Sequence, residues 1–250
     1  MSHVSKIKFL YIVSCIAWIA TTGCSQLEPQ TGAPILLFNG TGTSQNDVAA
    51  IENILQGKGH LYVTANSKQL NRMSESQLMS HRLIIIPGGN YITMGDNLTP
   101  QTTERLRNAL RGGVNYLGIC AGGLLAGKAD CNSLNLTSGV KFDFYGVVKQ
   151  GLHKAAVPIT CVNTPVIEHY WEDGPEFTGW GQVVGTYPDG TPAIVEGDFG
   201  AGLVILCGVH PEAPETWRRG MTFTTTARDA NDYTGTLIDA ALHGTRLPHN

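Results

Sequence analysis

The chain has 250 residues, of which 42% are hydrophobic and 15% are charged, so it can bury a full core and form one principal domain. Its formal net charge is −3 and its lysines and arginines are scattered, so we expect no nucleic-acid partner.

The N-terminal residues have the layout of a bacterial export signal. Lys6 and Lys8 precede an apolar run from Phe9 to Ala20, and the small residues of TTGCS follow it. The run is shorter than the stretch that a membrane-spanning helix needs. Cys24 directly follows a small residue, as does the cysteine that is lipidated in a bacterial lipobox.

This pattern predicts a signal peptide at residues 1–23, a tether at 24–33 and one domain at 34–250. The mature protein would then be exported to the periplasmic face of the bacterial cell envelope and held at the membrane by a lipid on Cys24. Thr21 replaces the leucine usual three residues before a lipobox cysteine, so cleavage without lipidation stays open. A second alternative is an uncleaved interfacial anchor.

Export affects the interpretation of the cysteines, because disulfides are permitted outside the cytoplasm. Four cysteines follow the leader, namely Cys120, Cys131, Cys161 and Cys207. They could form two disulfides in three different pairings. We favour a disulfide between Cys131 and Cys161, since both lie in polar, loop-like sequence. Cys207 lies inside the apolar run LVILCG.

Strand-like runs and helical patterns alternate along the domain. Four runs have the length and composition of strands: PILLFN, HLYVTAN, LIIIP and VNYLGI. Between them, Ser44 begins an amphipathic helix, SESQLMS forms a short helix, and Thr99 with Pro100 begins another helix. The alternation predicts an α/β fold, a three-layer flavodoxin-like sandwich whose mainly parallel sheet carries the site at its strand carboxyl ends.

The stretch VNYLGICAGGLLAG contains the spacing GxCxG at Gly118, Cys120 and Gly122. Between a strand and a short helix, this is the cysteine form of the nucleophile elbow, in which glycines permit a sharp turn. The turn exposes the sulfur at a helix N-terminus, where free N–H groups favour the thiolate. An isolated cysteine is usually structural, but this context favours a nucleophile.

A candidate base follows at the end of LVILCGVHPE, where His210 and Glu212 leave an apolar strand. Residues two apart on an extended segment point to the same side. Pro211 lies between them, so Glu212 could instead turn back to orient the imidazole ring. Together with Cys120, these residues predict a Cys-His-Glu catalytic triad.

GICAGG followed by HPE resembles the class I glutamine amidotransferase superfamily, in which cysteine, histidine and glutamate form the triad. The chain is more closely similar to one branch, the biotin-protein ligase N-terminal domain family. The stretches that carry this resemblance extend roughly from Pro34 to Trp217: GTGTS, IIIPGGN, YLGICAGG, HYWEDGPEF, TYPDGTPAIVEGDFGAG and GVHPE.

The resemblance implies a role for each residue of the site. Cys120 would attack an amide or ester carbonyl, His210 would transfer the proton and Glu212 would hold the imidazole tautomer. Ala121 would donate one oxyanion-hole N–H, and Gly88 or Gly89 the other, although PGG is also a common turn sequence.

Further residues are candidates for the pocket wall: Thr41, Ser44, Asn90 and Tyr170. GTGTS lacks the lysine of a P-loop, so we interpret it as a pocket-lining turn. HYWEDGPEF offers Glu168, His169 and Glu172, but their spacing matches no strong metal motif, and we interpret the stretch as a loop rim. We expect neither a metal nor another cofactor. MTFTTTARDAND is interpreted as a loop and YTGTLIDAALHG as a final helix.

These observations predict a cysteine hydrolase or amidotransferase-like enzyme that acts through a thioester on a small amide, ester or peptide-like substrate. The alternative is a non-catalytic ligand-binding or scaffolding module with the same fold. Redox sensing through Cys120 is a third, less favoured possibility. A biotin ligase activity is not expected, because an amidotransferase-like domain accounts for the available length. The sequence identifies no protein partner.

Overall fold

The computed structural model describes Met1, residues 33–146 and residues 151–249. The strands are β1 Ile35–Phe38, β2 Tyr62–Ala65, β3 Leu83–Ile86, β4 Asn115–Ile119, β5 Lys154–Cys161, β6 Ile167–Glu172, β7 Gln182–Thr186, β8 Pro192–Phe199 and β9 Gly202–Cys207. The helices are α1 Gln45–Gly57, α2 Ser67–Leu70, α3 Glu75–Met79, α4 Tyr91–Asp96, α5 Pro100–Arg111, α6 Ala121–Ala126 and α7 Ala227–His243. The predicted signal peptide beyond Met1, and Cys24, lie outside the described residues.

The nine strands of the described residues form one sheet in the order β2-β1-β3-β4-β9-β8-β7-β5-β6. The first five strands pair in parallel, in the strand order of flavodoxin-like folds. The remaining neighbours pair antiparallel. The predicted α/β sandwich is therefore confirmed, with an antiparallel extension at one edge of the sheet.

Helices cover both faces of the parallel strands, which explains why β1, β3 and β9 are apolar throughout. In β1, Ile35 and Leu37 pack with residues of α1 and α7 on one face. Leu36 and Phe38 pack with residues of α5 and α6 on the other. Side chains alternate across a strand, so a run such as ILLF supplies both cores. Among the described residues, no helix combines the length and apolar character needed to cross a bilayer.

Two local interpretations of the sequence were wrong. HYWE lies in β6 rather than in a loop, and His169, Tyr170 and Trp171 are buried there. Helix α7 begins at Ala227, six residues before Tyr233, so ARDAND is helical. A capping box between Thr226 and Asp229 begins this helix, and the polar residues of its first turns obscured the start in the sequence.

The predicted disulfide between Cys131 and Cys161 is also wrong, because all four cysteines of the described residues are free thiols. Cys131 packs against the core that contains α5 and α6, with its Sγ 3.8 Å from the Tyr91 carbonyl oxygen. Cys161 packs against the opposite core, with its Sγ 3.3 Å from the Tyr233 hydroxyl. The sheet separates the two sulfur atoms.

Candidate active site

Cys120 occupies a strained turn between β4 and α6. Its φ is 50° and its ψ is −107°, in a region that residues other than glycine rarely adopt. The Cys120 N–H donates to the Cys207 carbonyl oxygen at 2.7 Å, which ties the turn to β9. A Cβ on Gly122 would lie 2.0 Å from the Ile86 carbonyl oxygen, so only glycine fits there. This is the strand, turn and helix arrangement that the GxCxG spacing predicts.

Cys120 faces a cleft of 510 Å³ at the carboxyl ends of the parallel strands. The cleft is also lined by His210 and by residues from the three loops expected at this edge. Cys120 is 6% exposed, and its Sγ lies 3.8 Å from the Glu172 carbonyl oxygen. The sulfur is therefore sheltered but lies at the wall of a cavity that could hold a small ligand.

His210 is fixed by contacts with three segments of the chain. Its backbone N–H donates to the Tyr170 carbonyl oxygen at 2.8 Å. Its ring Nδ1 lies 2.9 Å from Glu212 Oε1 and 3.0 Å from Asp47 Oδ1. Because Nδ1 faces two acceptors, it carries a proton, which leaves Nε2 for Cys120. Glu212 thus turns back onto the ring across Pro211.

The electrostatic environment of His210 favours the imidazolium ion. Burial lowers the pKa of His210, but electrostatic contacts with the Cys120, Glu212 and Asp47 side chains raise it well above its ordinary value. Burial raises the pKa of Glu212, and the contacts with His210 only partly offset that effect. Burial also raises the pKa of Asp47, but its contacts with His210, Ser44 and Glu212 lower the pKa overall.

The predicted oxyanion-hole residues flank Cys120. Ala121 is the first residue of α6, so its N–H has no acceptor within the helix. Gly89 lines the cleft, whereas the Cα of Gly88 packs against Asp47 and His210. Of the two glycines, Gly89 is thus the better placed to donate an N–H toward a ligand in the cleft.

The predicted pocket residues divide among three cavities. Ser44 and Asn90 line the cleft, where their side chains also cap α1 and α4. Tyr170 lines a smaller cavity of 220 Å³ next to His210 and donates to Glu172 Oε2 at 2.6 Å. Thr41 does not line the cleft, because it borders a separate cavity of 530 Å³.

The sequence analysis missed Asp47 at the site and placed Glu172 only in a loop rim. In the sequence, Asp47 resembles any other acid in the first turn of a helix, here α1. Its contact with His210 forms only when the chain folds. Glu172 lines the cleft, and Lys154 forms an ion pair with its carboxylate at 2.9 Å. Burial raises the pKa of Glu172, but hydrogen bonds with Tyr170 and Lys154 lower it overall.

The acids and histidine of HYWEDGPEF do not come together as a metal site. His169 is buried against Tyr233, and Glu168 accepts from Thr224. Among the described residues, the candidate ligand atoms of Asp47, His210 and Glu212 lie within 4.8 Å of one another. Their distances are those of hydrogen bonds, and a protonated Nδ1 offers no lone pair, so we assign no metal there.

Comparison with known proteins gives a family-model match over part of the chain and a shared fold. A family model described as biotin-protein ligase, N terminal, matches residues 33–141, which include Cys120. No curated protein matches the chain.

Solved structures of low sequence identity have a similar fold. A glutamine amidotransferase is 16% identical with a TM-score of 0.60, over 85% of this chain and 100% of that one. A cytoplasmic protein from Salmonella typhimurium is 13% identical with a TM-score of 0.53, over 82% and 98%. A beta-galactosidase from Bacillus circulans sp. alkalophilus is 14% identical with a TM-score of 0.53, over 88% of this chain but 32% of that one. Residues 33–141 therefore match the biotin-protein ligase N-terminal family model, and the described chain has a class I glutamine amidotransferase-like fold.

Proposed function

We propose that this protein is a cysteine enzyme that hydrolyses, or transfers an acyl group from, a small amide, ester or peptide-like substrate. The amidotransferase-like fold supports a general function of that class. The observation that carries the proposal is the elbow thiol of Cys120, which shares a cleft with His210 while Glu212 Oε1 lies 2.9 Å from Nδ1. A nucleophile, a base and a group that orients the base are thus available together.

The first half of the reaction forms a thioester. His210 takes the proton of Cys120, and the sulfur attacks the substrate carbonyl carbon, whose oxygen becomes an oxyanion. The N–H groups of Ala121 and Gly89 would donate to that oxyanion. The intermediate collapses when the bond to the amine or alcohol breaks, and the leaving group takes the proton from His210.

The second half releases the acyl group. A water molecule, or an acceptor amine, attacks the thioester carbonyl while His210 removes its proton. The second tetrahedral intermediate expels the sulfur, which regains a proton from His210. The products are the free acid or the transferred amide, and the site returns to its starting protonation state.

A substrate screen tests this proposal. The wild type and Cys120→Ala are incubated side by side with amides, esters and short peptides, and the products are identified by mass spectrometry. Turnover by the wild type that is lost in Cys120→Ala supports the proposal. A protein that binds one of these compounds equally well in both forms and never converts it would be a ligand-binding module instead.

We also propose that the protein is exported and lipid-anchored through Cys24. The proposal is supported by Lys6 and Lys8, the apolar run that follows and the small residue before Cys24. Metabolic labelling with a tagged fatty acid tests it. Label that is present in the wild type and absent from Cys24→Ala is the expected result, and an unlabelled protein in the soluble periplasmic fraction would mean cleavage without lipidation.

A further inference from the structure

Two buried carboxylates face the same ring nitrogen of His210. Nδ1 lies 2.9 Å from Glu212 Oε1 and 3.0 Å from Asp47 Oδ1. The two acids are only 1% and 5% exposed, respectively. A single N–H makes one well-aligned hydrogen bond, and this one is donated to Glu212. The presence of the second carboxylate needs a separate explanation.

The remaining oxygen atoms of these acids supply that explanation. With both acids ionised, Asp47 Oδ1 and Glu212 Oε2 are buried atoms without a hydrogen-bond donor among the described residues. Two ionised carboxylates are both acceptors, and their like charges, with candidate ligand atoms within 4.8 Å of each other, disfavour one another. One proton held between the two acids would convert the repulsion into a hydrogen bond and satisfy both atoms.

The surroundings indicate which acid keeps the proton. The Glu212 side chain is completely buried, and burial raises its pKa. Asp47 lies in the first turn of the 13-residue helix α1, where the helix dipole favours an anion. Burial raises the pKa of Asp47, but its close contacts with His210, Ser44 and Glu212 lower it overall. The proton therefore belongs on Glu212.

We propose that Asp47 is the anionic positioning residue of this site, while Glu212 remains protonated. Glu212 donates its proton to Asp47 and accepts the Nδ1 proton through its carbonyl oxygen. Asp47 supplies the negative charge that stabilises the imidazolium ion. The inference rests on the proposed function in taking His210 as the partner of Cys120, but it concerns the charge on the ring rather than turnover.

Other titratable groups also face His210, and the test must hold them constant. They are Cys120 from the elbow, Lys154 from β5, and Tyr170 and Glu172 from β6. A Cys120→Ser background removes the thiol from all proteins compared. Variants of Asp47 and Glu212 then differ only in the acid that has been replaced by its amide.

The test is the titration of His210, followed by NMR of nitrogen-15-labelled histidine side chains and assigned by the signal lost in His210→Ala. We expect Asp47→Asn to lower the pKa of His210 by about one to three pH units. Glu212→Gln should lower it much less, because glutamine has the shape and charge of a protonated glutamate. A larger decrease in Glu212→Gln than in Asp47→Asn would overturn the proposal.

A matched control and a second measurement complete the design. Asp229→Asn removes another first-turn helix acid, in α7, and should leave His210 unchanged. If Asp47→Asn does not fold, infrared spectra of the wild type at neutral pH still decide. A protonated-carboxyl band from Glu212 is expected, and its absence would refute the proposal. Neither measurement depends on a substrate, so this inference can fail while the proposed function stands.

Discussion

Replacing Gly88 with alanine would disturb the imidazole without altering any titratable residue. The added Cβ would lie 2.1 Å from Asp47 Oδ1 and 2.7 Å from His210 Cε1, whereas ordinary contacts begin at 3.4 Å. Gly88 does not have a positive φ, so its backbone accepts alanine. The Asp47 and His210 side chains, rather than the backbone, must therefore move to relieve the clash.

The expected effect follows from the displacement of Asp47. Its carboxylate must retreat by more than 1 Å to restore an ordinary contact, which breaks the 3.0 Å approach to Nδ1. An opposite charge at this range raises the pKa of a histidine by about one to three pH units, and losing about one to two of these units costs about 1.4–2.7 kcal/mol. If the same energy is lost from the Cys120–His210 pair, alkylation of Cys120 should slow roughly 10- to 100-fold.

The assay is the rate of iodoacetamide incorporation at Cys120 near neutral pH, measured by peptide mass spectrometry. Gly57→Ala is the matched control, because it changes a glycine at the end of α1, the helix that carries Asp47, where an added Cβ meets nothing within 4 Å. A wild-type alkylation rate in a folded Gly88→Ala protein would refute the reasoning.

Three further results are expected. Near neutral pH, Cys120 should be alkylated much faster than Cys207, because burial raises the pKa of the Cys207 thiol; equal rates would argue against an activated site. His210→Ala should slow the alkylation of Cys120, and an unchanged rate would mean that the two side chains are not coupled. Burial and the charge of Arg218 lower the pKa of His169 to about 3, so this side chain stays neutral in the folded protein while the unfolded chain gains a proton near about pH 6.5. The folded protein therefore loses stability as the pH falls. Lowering the pH from 7.5 to 5.5 should reduce the free energy of unfolding, measured by urea denaturation, by about 1.4 kcal/mol through His169, and His169→Phe should remove this contribution. An identical pH dependence in both proteins would contradict this prediction.

The parallel half of the fold was predictable because its strands are buried on both faces. Runs such as ILLF and LIII have no polar positions, and the intervening helices begin with clear caps, as at Ser44. The elbow was predictable for a local reason: its glycines are required by contacts within one turn and with a neighbouring strand.

The antiparallel half was harder to predict, because strand β6 carries charged residues beside buried aromatic ones and resembles a loop in composition. Asp47 was missed for a different reason. A first-turn acid is common in helices, and its contact with His210 joins residues far apart in the sequence. No pattern within a single segment contains that information.

Trapping the acyl-enzyme tests the central claim most directly. The protein is mixed with an activated ester such as p-nitrophenyl acetate, quenched in acid and analysed by intact and peptide mass spectrometry. The account predicts one acyl group on Cys120, released by hydroxylamine, formed slowly in His210→Ala and absent from Cys120→Ala. Acylation of other residues at the same rate in Cys120→Ala, or no acylation at all, would contradict it.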